Sequence, residues 1–187
     1  MVKIMKSMKK TFLMALLATS LVVGCKKDEP SPTEDNELIT TIRLKFTESG
    51  TTTLFTFKDL DGAGGKAPVI DKISLKPNKT YTVALEILDE SKTPIVNTTN
   101  DIQSKKDEHL FEFVSTPTTL LVVTPTDKDS RGFNVGLAAS ATTINAGTGK
   151  LQVVLHHQPP VGGKPIKNGS FTLGSTDVDV SFEVEIK

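Results

Sequence analysis

After residue 37, polar and apolar positions alternate with a period of two along most of the chain. In residues 38–48, Thr40, Ile42, Leu44 and Phe46 fall on one face, and Thr41, Arg43, Lys45 and Thr47 on the other. That alternation is the mark of a half-buried β-strand. Ser49-Gly50 reads as a turn, and residues 52–58 return with Phe55 and Phe57 facing one way, which completes a hairpin. Further strands are predicted over residues 69–75, 80–89, 109–114, 120–123, 134–144, 150–157 and 177–187. Leu120-Leu121-Val122-Val123 is apolar on both sides, as expected of a central strand. In the last segment Val178, Val180, Phe182, Val184 and Ile186 are expected to face inward, and Asp177, Asp179, Ser181, Glu183 and Glu185 outward. The acidic row would blunt an edge or keep an exposed face solvated. Residues 90–108 lack alternation and carry Pro94, Asn97 and Asn100, so a loop with a short helical turn from Asp101 is expected. About nine strands, little helix and no internal repeat predict an all-β fold. Sheets with one wet face pack in pairs, so the chain should form a single antiparallel β-sandwich domain over residues 38–187.

Lys76-Pro77-Asn78-Lys79 turns the chain, and the spacing Leu75-x-Pro77-x-x-x-Tyr81 resembles the tyrosine corner of fibronectin type III domains. The resemblance implies an immunoglobulin-like sandwich in which Tyr81 has a structural role, its hydroxyl bonding back to the backbone near the turn. It implies nothing about activity.

The start of the chain reads as an address. Lys3, Lys6, Lys9 and Lys10 precede an uncharged run over residues 12–23 that is shorter than a membrane-spanning helix. Val22-Val23-Gly24-Cys25 resembles the lipobox of bacterial lipoproteins. This implies a signal peptide over residues 1–24, cleavage after Gly24 and a lipid on Cys25 that anchors the chain in a membrane, the acyl chains together giving stable attachment. Residues 25–37 are charged, contain Pro30 and Pro32, and read as an extended tether. Lys27-Asp28-Glu29 resembles the surface-export signals of Bacteroidota lipoproteins, which implies an outer-membrane protein facing the cell surface rather than the periplasm.

Cys25 is the one cysteine, so the domain has no internal disulfide and must stand on its core. The 22 basic residues balance 22 acidic ones, and loss of the four leader lysines leaves 18 against 22. Such a balance lacks the basic footprint of a nucleic-acid binder.

Candidate chemistry is sparse. Asp127-x-Asp129-x-x-Gly132 has the spacing of the front of a calcium loop, and Asp59-x-Asp61-Gly62 could add oxygen donors if the two loops met. Arg131 and Ala138 stand where further acids would be expected, and acids of this kind also build ordinary turns. Gly62, Gly64 and Ala67 match the dinucleotide fingerprint formally, but Pro68 and a strand follow where a helix should begin. His156 and His157 are adjacent on a strand and point to opposite faces, so they cannot share a metal, and His109 could reach either only through a tertiary contact. There is no Gly-x-Ser-x-Gly elbow or His-Glu-x-x-His, and the one thiol is expected to carry lipid, so no catalysis is expected. Trp is absent, which weakens a sugar-binding platform.

Across the exported part, Glu37-Leu38-Ile39-Thr40-Thr41, Asp59-Leu60-Asp61-Gly62, Glu108-His109, Gly136-Leu137 and His157-Gln158-Pro159 follow an order that resembles a group of small Bacteroidota lipoproteins. Members are sometimes labelled type 1 periplasmic binding proteins, a fold of two α/β lobes for which this chain is too short and too strand-rich. The expectation is a lipid-anchored, non-catalytic sandwich acting in adhesion, assembly or accessory binding to a protein or polysaccharide. The alternative is a calcium- or metal-dependent ligand-binding module serving uptake.

Overall fold

The computed structural model describes residues 38–187 except Ala63, so the expected leader, Cys25 and the Lys27-Asp28-Glu29 signal lie outside the described residues. The fold is an all-β sandwich, as the alternation predicts, built from ten strands rather than about nine. β1 (Thr41–Glu48) and β2 (Thr51–Lys58) form the expected hairpin. Ser49 and Gly50 both take positive φ, 50° and 81°, the conformation that lets a two-residue turn follow the strand twist.

The single strand predicted over 69–75 is two strands in different sheets. β3 (Val69–Ile70) pairs with β2, and β4 (Ile73–Leu75) pairs in parallel with the last strand. The crossing follows from Asp71, whose backbone N–H and carboxylate both bond to the backbone of Thr56 and pin the chain at the edge of the first sheet. β5 (Thr80–Leu88) pairs with β1, and α1 (Thr98–Ser104) is capped by the Asn97 side chain accepting from Thr99 N–H. The chain continues through β6 (His109–Thr116), β7 (Leu121–Pro125), β8 (Ala138–Thr143), β9 (Gly147–His157) and β10 (Ser175–Ile186). The first sheet runs β3-β2-β1-β5-β8-β7 and the second β4-β10-β9-β6.

Two expectations about position are corrected. β7 is an edge strand, not a central one: Leu121 is buried while Val122 on its other face is 46% exposed. The strand expected from residue 134 begins only at Ala138. Asp127 holds the preceding residues out of the sheet, its carboxylate accepting from the N–H groups of Gly136 and Leu137. Gly136 also sits at φ 97°, and a Cβ there would lie 2.6 Å from Phe111 Cβ. The outward acids of β10 lie on an interior strand, so they solvate a face rather than blunt an edge. Asp179 accepts from Gln152 on β9, and Glu183 pairs with Lys150.

The inner rows of the two sheets meet in one core. Ile42, Leu44, Phe46, Leu85 and Ile87 from the first sheet face Phe111, Leu151, Val153, Phe182 and Val184 from the second. Each such side chain taken out of water contributes roughly 1.5–3 kcal/mol. Tyr81 packs edge-on against Phe46, with ring centroids 6.0 Å apart, and its hydroxyl accepts from Lys76 N–H at 3.0 Å. Because Tyr81 lies on β5 and Lys76 follows β4, that bond ties the first sheet to the second. Tyr81→Phe is expected to lower the unfolding free energy by about 1 kcal/mol, the net worth of one such hydrogen bond, in urea denaturation with an unchanged m-value.

Candidate functional site

At one end of the sandwich the inner rows of the second sheet change from apolar to polar. On β9, Leu151, Val153 and Leu155 are followed on the same face by His157. On β6, Phe111 is preceded on that face by His109. The two strands are registered so that His109 stands directly opposite His157. Their rings stack at 4.7 Å between centroids and 6° between planes. Nothing local in the chain reports this register, which pairs residues 48 positions apart.

Asp177 joins them through an irregularity. Simple alternation turns it outward with Asp179, and this expectation is overturned. The β9–β10 register shifts between Thr176 and Val178, so Asp177 is an extra residue on β10. A β-bulge of this kind re-aims a side chain, and the Asp177 carboxylate is almost fully buried, with Oδ2 3.9 Å from His109 Nε2. Gly174, at φ 75°, brings β10 in against β9; a Cβ there would meet the His157 carbonyl oxygen at 1.9 Å. Among the described residues, His109, His157 and Asp177 form the one group of three metal-ligating side chains whose donor atoms all lie within 4.8 Å of one another. Glu108 Oε2 flanks the group at 3.6 Å from His157 Nε2, an ion-pair distance rather than a hydrogen bond.

His109 Nδ1 lies 3.1 Å from the Lys105 carbonyl oxygen. A carbonyl can only accept, so Nδ1 carries the proton and Nε2 is left with its lone pair toward Asp177. Burial lowers the His109 pKa to about 4, against the Lys105 carbonyl, which favours the charged ring; the nearby His157 lowers it further.

A second layer of polar contacts surrounds this end. On the outer face of the second sheet His156 bonds to Glu112 at 3.0 Å and its ring meets Phe171 of the segment that follows β9. His156 and His157 thus point to opposite faces, as the sequence predicts. Gln158 anchors that segment, its side-chain amide donating to the carbonyls of Ser170 and Leu173. Lys167, fully buried, reaches Asp129 at 3.1 Å and donates to the Lys106 carbonyl oxygen at 2.8 Å.

The four loop acids do not gather as the calcium expectation required. Asp127 is spent on the Gly136 and Leu137 amides. Asp129 accepts from the Arg131 and Phe133 amides and pairs with Lys167. Burial would raise its carboxyl, but Lys167 and then those two amides more than offset this and hold it below the usual range. Asp59 accepts from Gly62 N–H and Asp61 from Lys66 N–H, so each shapes its own loop. These oxygens face donors of the protein and are poorly placed for a hard cation.

Asp59 and Asp61 have another position of interest. With Phe57 of β2, Leu38, Ile39 and Thr40 before β1, Leu60 after β2, and Asp177, Val178, Asp179 and Val180 of β10, they line a cleft of about 350 Å³. Asp177 therefore connects the histidine pair to this opening. Comparison with known proteins found no matching family model, no matching curated relative and no matching solved structure.

Two outcomes follow from the geometry. In the metal-free chain, His109 binds its proton less readily when folded than at its ordinary value of 6.5, so the unfolded state takes up more protons between those two pKa values. Stability is expected to be full above pH 6.5 and to fall by about 3 kcal/mol as the pH drops toward 4, and His109→Gln should flatten that slope in urea titrations. Separately, Lys167→Met strands the buried Asp129 carboxylate and is expected to cost about 3 kcal/mol. The loss is read in the same denaturation assay.

Proposed function

We propose that this protein is a lipid-anchored, exported β-sandwich that works by binding rather than catalysis, with its ligand end at the cleft beside Asp177. The observation that carries this reading is the cleft itself, an opening walled by both sheets at the end where the polar cluster sits. The rim is apolar and exposed, with Leu38 and Leu60 each about half accessible, while Asp59 and Asp61 sit on turns fixed by their bonds to the Gly62 and Lys66 amides. A rigid acidic cleft with an apolar rim suits a protein or polysaccharide partner presented outside the cell. The lipobox-like Val22-Val23-Gly24-Cys25 and the Lys27-Asp28-Glu29 run support anchoring at the outer membrane with the domain held outward on its tether.

One experiment on intact cells tests anchor, exposure and binding end together. A photocrosslinking phenylalanine replaces Leu60 at the cleft rim or Leu54 on the outer face of β2, and cells are irradiated before and after protease shaving. The reading predicts a defined adduct from position 60 alone, removed by shaving, and loss of the chain from the membrane fraction in Cys25→Ala. A chain that resists shaving contradicts outward exposure. Adducts from position 54 but not 60 contradict the cleft as the binding end.

A further inference from the structure

We propose that His109, His157 and Asp177 form a site for one divalent first-row transition metal ion, with zinc the probe of choice. The donor set is two imidazoles and one carboxylate, delivered by three strands and gathered within 4.8 Å. Imidazole donors favour zinc, iron, nickel or copper over calcium or magnesium, which take oxygen alone. Such three-residue sets leave a coordination position open, as in metal centres that take a further ligand. The ion therefore suits the binding reading above, although the site itself stands on its own geometry.

Three features separate this group from an ordinary polar patch. First, the His109 tautomer is set by the Lys105 carbonyl, so the Nε2 lone pair and the Asp177 carboxylate face each other at 3.9 Å as two acceptors. A cation between them is attracted by both. A carbonyl on the far nitrogen is also the usual partner that orients a metal-bound histidine. Second, the size is right. Metal–nitrogen bonds of about 2.0 Å place the ligands of a tetrahedral ion roughly 3.3 Å apart, so the cage is wider than a loaded one by less than an ångström on the His109–Asp177 side. Binding turns the two stacked rings out of parallel so that both in-plane lone pairs meet one ion. Third, the carboxylate is present because of a bulge. Had β10 continued in register, Asp177 would point to solvent and the histidine pair would end the core without it. Asp177 also lines the cleft between the sheets.

The test uses the full chain purified in detergent and stripped of metal. Zinc titration by calorimetry is expected to show one site per chain, with calcium giving no heat under the same conditions. Asp177→Asn and His157→Gln are each expected to weaken zinc at least ten-fold, while His156→Gln on the outer face leaves it unchanged. Because a core variant can fail to fold, cobalt absorption on the unaltered chain provides an independent reading. Bound cobalt should give intense visible bands of a four- or five-coordinate ion, displaced by one equivalent of zinc. No stoichiometric zinc binding, zinc affinity unaffected by Asp177→Asn and His157→Gln, or loss in His156→Gln equal to theirs would each overturn the proposal.

Discussion

The dry interface between the two sheets constrains everything else in this molecule. Without a disulfide inside the domain, stability rests on burying the inner rows of the two sheets, and each inner position must be apolar or matched by a partner. Over most of the interface the rows are aliphatic or phenylalanine. At one end they run into His109, His157 and Asp177, and the polar groups there meet each other and the Lys105 carbonyl. The same rule operates outside the core. Lys167 is tolerated at full burial because Asp129 and the Lys106 carbonyl receive it, and Gln158 because two carbonyls of the segment after β9 do.

Much of the architecture was legible from period-two alternation because alternation is what a half-buried strand requires. Residues 41–48, 51–58, 80–88 and 175–186 form strands close to where the pattern places them. Tyr81 also does what its spacing from Pro77 implied, bonding back across the turn. The misplaced elements share a cause. Asp71 and Asp127 bond to distant backbone and so decide where a strand leaves its sheet, which no local pattern reports. β7 looked central because Leu121 and Val122 are both apolar, but only Leu121 is buried, and strand order is a tertiary fact.

The site was less legible than the fold. The sequence correctly separates His156 from His157, since neighbours on a strand oppose one another. Bringing His109 to His157 required the β6–β9 register, and turning Asp177 inward required a bulge that violates the alternation used to place it. Gly174 was the local clue: a glycine just before the last strand, where the chain must pass tight against the His157 carbonyl. The acids that did stand out by spacing, Asp59, Asp61, Asp127 and Asp129, turned out to hold loops in shape. Asp59 and Asp61 nevertheless line the cleft that the bulged Asp177 also lines.

The central claim is that the polar end of the core is a metal-ligand set, and X-ray absorption at the zinc edge tests it most directly. On the zinc-loaded full chain, a shell of nitrogen and oxygen at about 2.0–2.1 Å is expected, with outer-shell scattering from two imidazole rings that falls to one ring in His157→Gln. A shell of water oxygens without imidazole scattering, or a spectrum that His157→Gln leaves unaltered, would contradict it.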